Sequence, residues 1–222
     1  MQGKTHLVIG VALSLAVMRP STMPALVGGA GIAALGSVIS DIDAGQSGAG
    51  HDATKVVASI VIAGVLVLLA DLYFHLGLYA RFLRRGRETG FMLPLLLFIL
   101  FAAIGMLTRH RSFMHSLPAM ILFTACIWFM QRAMAPYFAI AYASHLLLDL
   151  TNRRGMRLFF PSRKLVSMKL FASNGWMDRI LLTAGVIALV LVVAHSAPMT
   201  GQIARLRGME NAVKSRMAGL IP

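Results

Sequence analysis

PYFAIAYASHLLLDL, residues 136–150, runs apolar for most of its length and closes on an imidazole and a carboxylate. On a helix, positions i and i+4 share a face, so His145 and Asp149 lie one turn apart and point the same way. Ionisable groups inside a membrane are costly, so they pair with one another, line a cavity or serve a function. A His–Asp hydrogen bond that satisfies two buried groups is one reading of HLLLD. A shared metal ion is the sharper one, and the rest of the chain bears on the choice.

Outward from this stretch the composition stays apolar. The 222 residues are 58% hydrophobic and 13% charged, against about 25% charged in soluble domains. That predicts an all-α fold, a polytopic helical membrane protein with about seven apolar segments: 5–18, 23–40, 56–79, 91–107, 114–131, 136–150 and 180–196. The third is long enough to span with tilt. The first, sixth and seventh fall short of the about 20 residues a spanning helix needs, and are expected to tilt or to be partly re-entrant. Residues 1–199 are read as one helical membrane domain, and 200–222 as a basic C-terminal segment, amphipathic or disordered. Lys4 and the apolar run Leu7–Met18 resemble a signal peptide, but Arg19 and Pro20 follow where small residues would mark cleavage. The segment is expected to remain as the first helix. Gly28, Gly29, Gly31 and Gly36 suit close helix packing better than a phosphate loop.

Charge is lopsided: 21 Lys and Arg against 8 Asp and Glu, a net of +13. RFLRRGR (81–87) and the basic C-terminal segment suit anionic lipid head groups. Nucleic acid is not expected as a partner, because the cations are divided among loops and no binding module is readable. Cys126 stands alone in an apolar run and is read as an inert buried thiol. The 15 methionines form no tight cluster and are read as packing.

Acidic residues are scarce enough for their positions to matter. Alternating the seven segments across a membrane puts His6, at the start of the first, on one face. Asp41 and Asp43 follow the second segment onto that face. His110 and His115 flank the turn between the fourth and fifth, and His145 and Asp149 close the sixth, all on the same face. The positive-inside rule does not orient this arrangement, since eleven basic residues fall on one side and ten on the other.

SDID, residues 40–43, supplies two carboxylates that suit divalent ions; a solvated helix end is the plain alternative. In HRSFMH, 110–115, five residues of continuous helix turn through about 500°, which would part the two histidines. A helix start at Ser112 as N-cap would bring them together, with His115 in the first turn and Arg111 free to clamp an anion. Asp71 and His75 share the i, i+4 spacing but count to the opposite face, as an interfacial pair. His51 and Asp52, in a Gly-rich loop, are read as solvated.

KTHLVIG, SDID, HRSFMHSL and HLLLDLTNRRGMRLFFP, in this order, resemble the YdjM-like family of membrane-bound, metal-dependent hydrolases. The likeness runs from about residue 4 to residue 161, and Thr5, His6, Asp41, Asp43, His110, Arg111, His115, Ser116, His145, Asp149, Thr151 and Pro161 fit the family pattern. Ala44 stands where a His commonly follows the second Asp, Ser112 replaces a Gly, and Met114 replaces a Thr. H-x-x-x-D with dispersed His and Asp is also similar, more distantly, to zinc-dependent phospholipase C.

The resemblance implies a bacterial inner-membrane hydrolase that uses a metal-activated water at the membrane interface, on a phosphodiester or phospholipid. Its ligand pool is His6, Asp41, Asp43, His110, His115, His145 and Asp149, for one or two divalent ions, with zinc foremost and manganese or magnesium as alternatives. Asp43 is assigned as general base, Arg111 as the group that neutralises developing charge, and Ser116 as a cap, not a nucleophile. The rival is a non-enzymatic transporter or a proton or metal-ion relay built on the same cluster.

Overall fold

A computed structural model describes residues 2–43, 90–108, 111–170 and 175–202, with isolated positions among 70–84 and 204–211. The described residues form six α-helices: α1 (Gly3–Met18), α2 (Met23–Val38), α3 (Met92–Leu107), α4 (Leu117–Met130), α5 (Ala135–Leu150) and α6 (Trp176–Ala194). A 3-10 helix, Ile39–Asp43, prolongs α2. No strand occurs among the described residues; Met156 and Val166 make one isolated antiparallel bridge. The expected third segment, 56–79, lies almost wholly outside the described residues, as do His51, Asp52 and His75. Asp71 is described and is buried.

Local chemistry explains the helix starts. Thr22 caps α2, accepting a hydrogen bond from the Ala25 N–H at 3.3 Å, and Ser116 caps α4 by the same contact to Ala119 at 3.3 Å. α2, α4 and α5 each carry a proline in the first turn, where its missing N–H would have had no helical partner. The predicted cap at Ser112 is therefore corrected: α4 starts four residues later, and His115 lies in the turn before the helix. Pro118 and the Ser116 hydroxyl favour that later start. The role given to Ser116 holds: it caps, and it donates to the Phe113 carbonyl at 2.6 Å.

Helix α5 occupies the centre. It packs on α1 and α2 along one side and on α4 along the other; α3 covers α4, and α6 lies along α1. The α2–α5 approach depends on glycine. A Cβ at Gly29 would come within 2.5 Å of the Tyr137 ring, and one at Gly36 within 2.7 Å of the Phe138 carbonyl oxygen. Close packing is thus borne out for these two glycines, whereas Gly31 faces open space. One core joins Leu15, Leu26, Ala33, Tyr137 and Ala141 across α1, α2 and α5. The other gathers Phe123, Phe138, Tyr142 and Leu146 with Met114 and Met156 from the loops.

The outward surface is apolar where a soluble protein would be polar. Leu93, Leu96, Ile99 and Leu100 on α3, and Ile180, Ile187, Val190 and Leu191 on α6, are exposed. Two helical runs are long and apolar enough to cross a bilayer: Met23–Asp43, 21 residues, and Trp176–Ala194, 19 residues. The remaining helices have 14 to 16 residues, below the about 20 of a full span. Buried polar groups collect at one end of the bundle, where α1 begins and where α2 and α5 finish.

Candidate metal centre

Four separate pieces of chain deliver ionisable side chains to that end. α1 brings His6 in its first turn; the 3-10 helix brings Asp41 and Asp43; the turn before α4 brings Arg111 and His115; the last two turns of α5 bring His145 and Asp149. His6, Asp41, His115, His145 and Asp149 are each no more than 4% exposed. His110 lies outside the described residues. The other six members of the expected ligand pool come together, from positions up to 143 residues apart (6 to 149).

His115 Nε2 is 3.4 Å from Asp41 Oδ1 and 3.4 Å from Asp149 Oδ2. His6 Nε2 is 3.4 Å from the other oxygen of Asp149, and His145 Nε2 is 3.7 Å from Asp41 Oδ1. The His6 and His145 rings stack at 4.0 Å between centroids, and the His115 ring stands edge-on to His145 at 5.3 Å. These separations bear on the two readings of the cluster. Nitrogen–oxygen hydrogen bonds fall at about 2.7–3.2 Å. Bonds of about 2.0–2.1 Å to a tetrahedral ion place neighbouring donor atoms about 3.3 Å apart. The observed spacings of 3.4–3.7 Å are long for hydrogen bonds and are compatible with donors arranged around an ion.

Orientation supports the same choice. His145 Nδ1 lies 2.6 Å from the Ser37 carbonyl oxygen, so that nitrogen carries the proton and Nε2 presents a lone pair to the cluster. Neither His145 Nε2 nor His6 Nδ1 has a hydrogen-bond partner among the described residues, although both atoms are buried. Thr5 Oγ1 and Ser40 Oγ, in the same neighbourhood, are alike in this. Unsatisfied buried polar atoms are rare enough to require a reason, and a cation would answer for His145 Nε2, the atom aimed into the cluster. Three carboxylates concentrated in one cluster also call for positive charge to offset them, of which Arg111 supplies one unit, at Asp149.

Two sets of donors meet the spacing of a metal site: His6, His145 and Asp149, and Asp41, His115 and His145, with all ligand atoms in a set within 4.8 Å of one another. The sets share His145, whose single available lone pair serves one ion at a time. Asp149 touches both sets, since its two oxygens face His6 and His115 separately. Asp43 belongs to neither set. Its Oδ2 faces His115 from the Nδ1 side at 3.9 Å.

Arg111 is held more tightly than the sequence suggests. One terminal nitrogen sits 3.1 Å from Asp149 Oδ2 and the other donates to the Arg154 carbonyl at 2.7 Å. Its backbone has φ of 64°, in the left-handed region that side chains other than glycine seldom adopt. Two further groups escaped the sequence reading. Tyr142, fully buried, donates its hydroxyl proton to the Met114 carbonyl next to His115. Asp178, also buried, accepts from the Gln2 N–H at 3.2 Å and so ties the start of α1, which carries His6, to the start of α6. The scarcity of acids was the one available signal for Asp178; nothing in the sequence singles out Tyr142.

YvsG of Bacillus subtilis (strain 168), described as an uncharacterized protein, is 32% identical to this chain over 89 residues. That stretch is 39% of this chain and 56% of YvsG, so the chain spans about half the length of this relative. No solved structure matches the chain. Residues 1–207 match the family described as YdjM inner membrane protein. With its apolar helices and a buried His/Asp cluster able to hold a metal ion, the chain belongs to the YdjM family of inner membrane proteins.

Proposed function

We propose that the protein is a polytopic inner-membrane hydrolase whose metal centre is built on His6, Asp41, His115, His145 and Asp149. The supporting observation is the convergence of imidazole Nε2 atoms and carboxylate oxygens at 3.4–3.7 Å, with the His145 ring fixed by a carbonyl from another helix. Mixed nitrogen and oxygen donors favour zinc, with manganese or magnesium as alternatives. A divalent ion there would supply Lewis acidity and lower the pKa of a water to about 7. A phosphodiester or phospholipid is the substrate class we infer, since Arg111 brings a guanidinium to the rim of the cluster.

The residues around the donors take distinct roles in this reading. Arg111 already uses two donors of its fork, so it chiefly fixes Asp149 and leaves its remaining N–H groups for an anionic oxygen. Asp43 faces His115 Nδ1, a position that suits orienting the imidazole better than acting as base among the Nε2 atoms. The relay alternative needs polar side chains that hand protons along the bundle. Ser14, Ser37 and Ser144 are buried along α1, α2 and α5, but each spends its proton on a backbone carbonyl, of Tyr137, Ala33 and Ala141 respectively.

Elemental analysis of chelator-free, detergent-purified protein, followed by a phosphodiester and phospholipid screen with the ion found, tests the proposal. Stoichiometric metal with metal-dependent turnover supports it. Metal-free protein after repletion with zinc, manganese and magnesium rejects it.

A further inference from the structure

Residues 151–170, between α5 and the described start of α6, are not a slack connection. The Met156–Val166 bridge closes them into a hairpin with hydrogen bonds of 3.1 and 2.9 Å. Its base is fastened to α5 by Met168 N to Leu150 O at 2.8 Å and Leu170 N to Thr151 O at 2.9 Å. Its inner side is fastened to the metal-centre turn by Leu117 N to Leu158 O at 2.9 Å and Arg157 N to Arg111 O at 3.1 Å. The Phe160 ring packs on Phe113 at 5.6 Å.

The outer side of this ordered hairpin has an unusual surface. Phe159, Leu165, Met168 and Leu170 are 53–67% exposed. Arg153, Arg154, Arg163, Lys164 and Lys169 are exposed among them, and the segment contains no Asp or Glu. The hairpin leaves the last turn of α5, so it stands at the end of the bundle that holds the His/Asp cluster. Large apolar side chains interleaved with cations, at the end of a transmembrane bundle, match the chemistry of a bilayer interface: apolar groups enter the acyl boundary while Lys and Arg meet phosphates.

We propose that the 151–170 hairpin docks on the anionic lipid surface at the face of the membrane that carries the His/Asp cluster, and holds the approach to that cluster against lipid head groups. Charge complementarity names the occupant: a surface with five exposed cations and no acids favours anionic phospholipid over zwitterionic lipid or an acid-bearing stretch of this same, acid-poor chain. The docking rests on membrane insertion and not on hydrolysis, so it stands or falls separately from the catalytic reading.

The test uses the full chain with Cys126→Ser and Phe159→Cys, labelled at position 159 with an environment-sensitive fluorophore. The protein is placed in phosphatidylcholine nanodiscs with or without phosphatidylglycerol. Blue-shifted emission shielded from aqueous iodide in the phosphatidylglycerol discs, reversed by high salt and by adding Arg163→Glu with Lys164→Glu, is the expected result. Emission that stays iodide-accessible in both lipids overturns the proposal. Shielding that is equal in both lipids and indifferent to salt also overturns it, because the contact would then not depend on anionic lipid. Metal content, measured on the same samples, should be unchanged by the charge reversals, which separates failure of the docking from failure of the metal centre.

Discussion

His145 and His195 each bring Nδ1 to a backbone carbonyl, at 2.6 and 2.9 Å, and from there their situations diverge. The carbonyl that meets His195 belongs to Leu191, one turn back on its own helix, and the ring stays exposed as part of an ordinary helix end. The carbonyl that meets His145 belongs to Ser37 on α2, and the contact turns Nε2 into a buried cluster of acids and imidazoles. The two ends of the bundle differ in the same way. Around His195, Arg19, Leu15, Leu26 and Val192 surround an open cavity of about 370 Å³ with no carboxylate in its lining. Around His145, four chain segments converge. A histidine near a helix end is therefore uninformative by itself; what distinguishes a site is a second element that fixes the ring and a third that supplies its neighbours.

The largest expected effect breaks this comparison directly. His145→Ala should reduce bound metal from stoichiometric to near background, and Asp149→Asn should do nearly as much, because Asp149 touches both donor sets. His195→Ala should leave metal content unchanged. Elemental analysis of the three variants, each shown to be monodisperse in detergent, checks it. Equal metal in His145→Ala and wild type would move the site away from this cluster.

A second contrast concerns packing. Gly36 precedes Ser37, whose carbonyl holds His145, and a Cβ there would strike the Phe138 carbonyl oxygen, a backbone atom with little freedom to yield. Gly36→Ala should destabilise the protein by about 1–3 kcal/mol and weaken metal binding by displacing that carbonyl. Gly31, on the same helix, has nothing within 4 Å of its Cβ position. Gly31→Ala should be neutral or stabilising by up to about 1 kcal/mol, as helix propensity alone predicts. Thermal unfolding in detergent, read beside metal affinity, separates the two.

Much of the site is legible from where the few acids fall. The expected alternation of apolar segments puts His6, Asp41, Asp43, His115, His145 and Asp149 on one face, the described residues gather these six side chains at one end of the bundle, and the scarcity of acids marks which carboxylates to follow. The i, i+4 spacing in HLLLD placed two of them on one face before any packing was known. What was not legible depends on backbone atoms brought from far along the chain. No residue type announces that the Ser37 carbonyl will meet His145 108 residues away. The sequence leaves the start of α4 open, because two serines four residues apart can each cap, and Pro118 with the Ala119 N–H settles it for Ser116. Nothing in the sequence of residues 151–170 announces a hairpin, since one β-bridge and its fastenings leave no periodic pattern.

Two arginines carry the comparison to its finest point. Arg19 ends α1 with φ of 47°, and Arg111 enters the turn before α4 with φ of 64°. The left-handed conformation costs a side-chain-bearing residue about 1 kcal/mol relative to glycine. Arg19→Gly should recover up to that amount in a thermal melt and leave metal affinity alone, because its guanidinium is remote from the acids. Arg111→Gly relieves the same backbone cost but removes the contacts to Asp149 Oδ2 and the Arg154 carbonyl. Outer contacts of this kind are worth about 10–100-fold in metal affinity, so metal binding should weaken by that order even where the melt changes little. Parallel melts and metal titrations of the two variants make the test. If both leave metal affinity untouched, Arg111 does not position Asp149; if only Arg111→Gly weakens it, the unfavourable backbone at that turn is retained for the sake of the carboxylate it holds.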